Sequence, residues 1–232
     1  MNVKGVFFDL YGTLYILEDP EKELEEWLDE LYIRMKRRGL TYGKEVVLDY
    51  IQNHRNNTAV PRPNNGMTIF EKRLDLYFTH FRIKIPRSEL ENTVESLISI
   101  WNKYARLDPM CLRLLRQLKN TSVVTALISN YDHPQAVHKL MRETGMREYF
   151  TSVVISGDHG VNKPDPAIFH LALNNTRLKP SEMIFVGDSE EDVVGANNSR
   201  LISVLIDREG HGKNYGQQFT ISSLQDVSKV IS

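Results

Sequence analysis

Cysteine is almost absent from this chain: Cys111 is the only one in 232 residues. A single thiol excludes an internal disulfide framework and any thiolate metal site built within one chain. Long apolar runs are missing too, so no segment reads as a membrane span. The first residues do not read as a signal peptide, because Asp9 interrupts the only short apolar run near the start. Charge of one sign is not in excess: the formal net charge is −1, which gives no bulk attraction to nucleic acid or to an anionic membrane. Internal repeats and low-complexity tracts are also lacking. What remains, 41% hydrophobic and 25% charged residues, is the composition of a soluble globular domain. A cytoplasmic protein acting on a small molecule, without nucleic-acid or membrane partners, is the expectation; oligomeric state stays open.

Five short segments rich in Val, Ile and Phe read as strands, at 4–8, 123–128, 153–155, 184–186 and 202–206. They show little alternation, as strands covered on both faces do. Helical patterns at 109–118, 134–144, 166–174 and 190–197 precede the last four, with Asp165 as N-cap and Pro166 at the first helical position of the third. Alternation of this kind predicts a parallel sheet with right-handed crossovers, an α/β fold. The gap between the first two strands is far longer than the ~10–12 residues a crossover needs. It carries helical stripes at Leu24, Trp27, Leu28, Leu31 and Met35, closed by Gly39, and at Phe70, Leu74, Tyr77, Phe78 and Phe81. A third stripe opens on a Ser88/Glu91 capping box and runs through Leu90, Val94, Leu97, Ile98, Trp101 and Ala105. An Asn/Pro-rich stretch at 56–66 separates the first helical region from the second. The expectation is a Rossmann-like parallel-sheet core from residues 1–15 and 106–232, with an α-helical cap at 16–105 inserted after the first strand.

Chemistry gathers at the strand ends, where open α/β sheets bind ligands. Val6-Phe7-Phe8 runs into Asp9, Gly12 allows a sharp turn, and Thr13 offers a hydroxyl beside the acid. Ser129 and Asn130 follow the second strand, Lys163 the third by a short loop, and Asp188 the fourth. A carboxylate nucleophile, hydroxyls, an ammonium and a second carboxylate suit an anionic substrate. Asp9 and Asp188 together suit a hard cation such as Mg²⁺. Each also has an ordinary structural reading. Ser129 and Asn130 can start a turn, Lys163 can be a solvated loop lysine, and Asp192 can be the N3 acid of a capping box with Ser189. The seven histidines show no metal-ligand spacing, and His159 stands out only because it lies on the loop leading to Lys163.

Taken in order, these segments resemble the haloacid dehalogenase superfamily of hydrolases. Asp9-Leu10-Tyr11-Gly12-Thr13 matches its first motif and Ile128-Ser129-Asn130 its second. The run from Gly160 through Asn162-Lys163-Pro164-Asp165-Pro166 to Phe169 matches the third, and Val186-Gly187-Asp188-Ser189-Glu190-Glu191-Asp192 with Gly195-Ala196 the fourth. The resemblance implies Asp9 as nucleophile; Thr13, Ser129, Asn130 and Lys163 around the substrate; and Mg²⁺ held by Asp9, the Tyr11 carbonyl, Asp188 and Asp192. Most members carry an acid–base aspartate two residues after the nucleophile, where this chain has Tyr11. Members that cleave 2-haloacids have tyrosine there, because a halide leaving group needs no proton, and they act without a metal. Those members also have a tyrosine six residues after the lysine, where Phe169 stands, a less acidic fourth motif, and a halide-receiving cap arginine, for which Arg34, Arg37 and Arg38 are the candidates. Tyr11 thus favours carbon–halogen cleavage, while Asp188, Asp192 and Phe169 favour Mg²⁺-dependent phosphoryl transfer. Hydrolysis of a small phosphorylated metabolite through an aspartyl-phosphate is the leading expectation. A metal-free 2-haloacid dehalogenase is the second. A weakly active or non-catalytic phosphometabolite-binding protein is the third.

Overall fold

The structure is a computed structural model and describes residues 3–54 and 66–231. The Asn/Pro-rich stretch read at 56–66 lies outside the described residues except for Gly66. In chain order the elements are β1 (Gly5–Phe8), β2 (Tyr15–Leu17), α1 (Pro20–Arg37), α2 (Lys44–His54), α3 (Ile69–His80), α4 (Arg87–Lys103), β3 (Ala105–Leu107), α5 (Cys111–Asn120) and β4 (Val124–Ser129). Then come α6 (Pro134–Glu143), β5 (Ser152–Ile155), α7 (Ser156–His159), α8 (Pro166–Asn174), β6 (Met183–Gly187), α9 (Glu190–Asn198), β7 (Ile202–Ile206), β8 (Phe219–Ile221) and α10 (Val227–Ile231). The chain divides into two compact units, one of Met1–Ile16 with Leu107–Ser232, the other of Leu17–Arg106. No helix among the described residues is long and apolar enough to cross a membrane.

The first unit is built on a six-stranded sheet in the order β5-β4-β1-β6-β7-β8. Every pairing is parallel, with Phe8 opposite Leu127 on one side and Val186 on the other. Renumbered within the sheet this is 3-2-1-4-5-6, the doubly wound order, whose direction reverses beside its first strand. The α/β Rossmann-like expectation therefore holds. Phe7, Ala126, Ile128, Met183 and Phe185 enter one apolar cluster with Ile168, Phe169, Ala172, Leu173 and Ala196, side chains of α8 and α9. The alternate residues Val6, Phe8, Leu127, Ile184 and Val186 are also buried, so both faces are covered and the strands have no polar side to alternate with. Cys111 is buried, and burial, reinforced by Asp108, pushes its thiol up to about 12, far from thiolate chemistry at neutral pH.

In the second unit the stripes on α1, α3 and α4 meet in one cluster that includes Leu28, Leu31, Met35, Leu74, Phe78, Leu90 and Leu97. The sequence reading differs from the structure in local ways. It passes over α2, whose Val47 and Ile51 are buried one turn apart, and over the three-residue strands β2, β3 and β8. The Ser88/Glu91 capping box does not form. The carbonyl of Pro86 accepts the first helical bonds, from Glu89 and Leu90, so Ser88 already lies inside α4. Glu91 is instead engaged by Arg87 Nε at 2.7 Å. A capping box does form at Thr68 and Glu71, which starts α3. Ala105 belongs to β3 rather than to the end of α4. Gly39 stands just past the Arg38 C-cap with φ +90°, the left-handed position that glycine fills at helix ends.

Candidate active site

Parallel pairing of β1 with β6 sets the chemistry of the switch point, because both strands end on aspartates there. Asp9 follows β1 and is 6% exposed, and Asp188 follows β6. Asp192 comes in from the first turn of α9. Carboxylate oxygens of the three lie within 4.8 Å of one another. Lys163 reaches into this group from the loop between α7 and α8, is 4% exposed, and donates to Asp9 Oδ1 at 2.5 Å and Asp192 Oδ1 at 2.7 Å. Its ammonium also sits 5.5 Å from the centre of the Phe185 ring.

Two glycines make this crowding possible. A Cβ on Gly12, whose φ is +90°, would fall 2.3 Å from the Asp188 carboxylate, so the main chain after β1 lies directly against that acid. A Cβ on Gly187 would meet the Asp192 carboxyl carbon at 2.3 Å. Thr13, fully buried, donates its hydroxyl to Asp188 Oδ1 at 3.2 Å.

Asp192 forms the capping box with one oxygen and reaches the acid cluster with the other. Oδ2 accepts from the backbone of Asp188 and Ser189, both at 3.1 Å, and from the Ser189 hydroxyl at 2.8 Å, completing the capping box. Oδ1 is left to hold Lys163. Asn130 is the residue whose placement departs most from a substrate-facing role. Its Oδ1 accepts the Lys163 backbone N–H at 2.8 Å, and its Nδ2 donates to the Lys163 carbonyl at 3.0 Å and to Glu191 at 2.9 Å. It clamps the lysine loop. Ser129 closes β4 and is 2% exposed. The Tyr11 ring packs 5.4 Å from Tyr131 and 5.9 Å from Tyr15.

Electrostatics follow from two buried acids, a half-buried third and one buried base. Burial pushes Asp9 up to about 7; Lys163 opposes that rise, while Asp192 and Asp188 add to it. Burial likewise raises Asp188, with Asp192 adding and Lys163 and Thr13 opposing. Burial works to lower Lys163, but Asp192 and Asp9 more than offset it, and the ammonium stays protonated well above the ordinary lysine range. The cluster is short of positive charge.

A model of the haloacid dehalogenase-like hydrolases matches residues 3–200. The chain belongs to that family. Among relatives of this hydrolase, a glyceraldehyde 3-phosphate phosphatase of Methanopyrus kandleri is 34% identical over 89% of this chain and 84% of its own length. A phosphoglycolate phosphatase of Yersinia pseudotuberculosis is 28% identical over 95% of this chain and 86% of its own. The crystal structure of a phosphatase of this superfamily from Thermococcus onnurineus superimposes with a TM-score of 0.71 at 24% identity, covering 99% of this chain and 98% of that one, a likeness of fold.

Other sequence candidates lie apart from the acid cluster's hydrogen bonds. Phe169 is fully buried and meets Phe185 edge-on at 5.0 Å. His159 is exposed. Arg34 pairs with Glu30 at 2.6 Å and Arg38 with Glu89, both within the helical unit, where Arg37 is also exposed. Sequence reasoning passes over Glu191, which braces Asn130, and over Arg208, which lies two residues beyond β7 and reaches the loop after β1. The strand-end rule that selects Asp9 and Asp188 applies equally to the end of β7.

A raised carboxyl favours the folded state at pH below its unfolded value of 3.8, and that contribution is lost as pH rises through about 7. In metal-free protein, Asp9→Asn is therefore expected to raise Tm relative to the parent at pH 8 and to raise it less at pH 5.5. Calorimetric scans of both proteins at the two pH values check this; a variant less stable than its parent at pH 8 would contradict it.

Proposed function

We propose that this hydrolase cleaves small phosphorylated metabolites through a covalent intermediate on Asp9. The observation that carries the reading is the convergence of Asp9, Asp188 and Asp192 on Lys163 at the switch point of the sheet. The relatives' names support a phosphomonoester substrate, and phosphoglycolate and glyceraldehyde 3-phosphate are the first compounds to assay. The helical unit is assigned as a cap and the sheet unit as the catalytic core, a cytoplasmic enzyme acting without nucleic acid.

Asp9 attacks phosphorus in line. The bond from its carboxylate oxygen to phosphorus forms as the bond to the departing alcohol oxygen breaks, and water then cleaves the aspartyl-phosphate. Lys163 orients the nucleophile and neutralises charge between Asp9 and the phosphoryl oxygens. In this reading Ser129 donates to those oxygens, Thr13 joins it only when its hydroxyl turns away from Asp188, and Asn130 serves the substrate by holding the Lys163 loop. The surplus of carboxylates over cations fits Mg²⁺, for which Asp9, Asp188 and the Tyr11 carbonyl are the proposed ligands. Asp192, with both oxygens already engaged, contributes through water. When bound, the ion supplies charge that offsets repulsion between the nucleophile and an anionic phosphate.

Incubation of the purified protein with p-nitrophenyl phosphate and the two named metabolites tests the reading, with 2-chloropropionate alongside. Phosphate release that stops with EDTA and falls at least ~10³-fold in Asp9→Asn is expected, since loss of a nucleophile removes its whole covalent route. Metal-independent chloride release without phosphate release would establish the dehalogenase reading instead.

Tyr11 puts a phenol where a carboxylic acid would serve the leaving oxygen, and a phenol is the weaker proton donor of the two. Tyr11→Asp is expected to raise kcat on the alkyl phosphates roughly 10-fold or more, with a smaller effect on p-nitrophenyl phosphate, whose leaving group needs no proton. Equal effects on both substrate types would show that position 11 does not serve proton transfer.

A further inference from the structure

The loop that follows β1 carries Asp9, Tyr11 and Thr13, and several carbonyls along it and at the start of β2 are held by main-chain donors. Leu10 accepts from Leu14 and Tyr15, Tyr15 accepts from Gly12, and Leu14 accepts from Asp108, at 2.7–2.9 Å. The carbonyls of Gly12 and Thr13 are held differently. Both accept from the guanidinium of Arg208, Gly12 from Nη1 and Thr13 from Nη2 at 2.6 Å. Nη2 also donates to Asp108 Oδ2 at 2.9 Å. Asp108 is in turn fixed by the Met110 N–H, which donates to its Oδ1 at 2.8 Å. The Arg208 side chain is 20% exposed and that of Asp108 8%.

The two carbonyls are not remote from the chemistry. Gly12 lies against the Asp188 carboxylate so closely that a methyl group would not fit, and the Thr13 hydroxyl donates to that same acid. A shift of the Gly12–Thr13 main chain therefore moves the contact surface of Asp188 and the carbonyl of the neighbouring Tyr11. A planar fork can grip two successive carbonyls and a carboxylate at once, which a single ammonium cannot do with the same geometry.

We propose that Arg208, anchored by Asp108, is a positioning residue that holds the loop after β1 in register with Asp188 and so sets the affinity of the acid cluster for a divalent cation. Resting on the reading of this site as a metal-dependent phosphatase, it adds a residue from the end of β7 to the machinery. Arg208 touches neither the cluster carboxylates nor Lys163 through any of these bonds; it acts through Gly12 and Thr13.

Mn²⁺ binding to the full chain, followed by electron paramagnetic resonance of the free ion, gives a readout independent of turnover. It is paired with kcat and KM on p-nitrophenyl phosphate for Arg208→Ala, Arg208→Lys and Asp108→Asn, each first shown to be folded by circular dichroism. Arg208→Ala is expected to weaken Mn²⁺ binding and lower kcat by roughly 10–100-fold, the range for groups that orient metal ligands, with KM changed far less. Arg208→Lys recovers part of both losses. Asp108→Asn, which keeps the side-chain volume should Arg208→Ala fail to fold, shows the same pair of losses at smaller size. Folded variants with parental Mn²⁺ affinity and kcat, lowered only in Tm, would reduce Arg208 to a structural brace and overturn the inference. Weakened Mn²⁺ binding in a protein that cleaves no phosphoester would uphold it while removing the phosphatase reading. A parent chain that binds no Mn²⁺ would remove both.

Discussion

One buried ammonium faces three carboxylates, and the rest of the site is arranged around that imbalance. Lys163 is bonded to Asp9 and Asp192, with Asp188 beside them, in a place where unpaired charge is costly. Every neighbour that fixes one of these groups also limits how the charge can relax. Asn130 holds the Lys163 backbone from both sides, Ser189 and two main-chain donors fix Asp192, and Thr13 binds Asp188. Separating the four groups breaks these hydrogen bonds. Held together, they leave Asp9 titrating far above an ordinary carboxylate, a state that a bound cation relieves.

Much of this arrangement is legible in the chain itself, because the sheet is parallel and covered on both faces. Strands such as Met183–Gly187 read as short apolar runs with little alternation, and a carboxylate directly after such a run marks the sheet's carboxyl edge. The helical stripes of Leu28, Leu31 and Met35 or Phe70, Leu74 and Phe78 are legible for the same reason, since one period fits them. Short elements are not. Three residues of β8 carry no period, and the Ser88/Glu91 pattern is matched by chance while Pro86 caps the helix two residues earlier. Partnerships between distant residues are equally hidden. Asn130 is placed correctly at a strand end, yet its bonds run to Lys163 and Glu191, so its role is to hold the loop. Arg208 sits in an ordinary polar turn, and only folding brings it to carbonyls 195 and 196 residues away.

The same fold accommodates attack on carbon or on phosphorus, so the chemistry rests on a few side chains. Tyr11 is shared with enzymes that release halide, and its ring is packed against Tyr15 and Tyr131. The acids weigh more heavily. A carbon–halogen reaction needs one carboxylate, whereas Asp188 and Asp192 surround Asp9 with negative charge that repels an anionic substrate unless a cation offsets it. Phe169, buried against Phe185, presents no phenol to the site. The proposed route is thus an aspartyl one without a carboxylic acid at the leaving group.

The covalent step is the centre of the account, and chemical trapping reads it directly. Enzyme turning over p-nitrophenyl phosphate with Mg²⁺ is quenched, reduced with borohydride and mapped by peptide mass spectrometry. Acyl phosphate is reduced to an alcohol, so Asp9 is predicted to appear as homoserine during turnover and as aspartate when substrate is withheld. Reduction at another carboxylate, or steady hydrolysis with Asp9 unmodified while a control acyl phosphate is trapped under the same conditions, would contradict it.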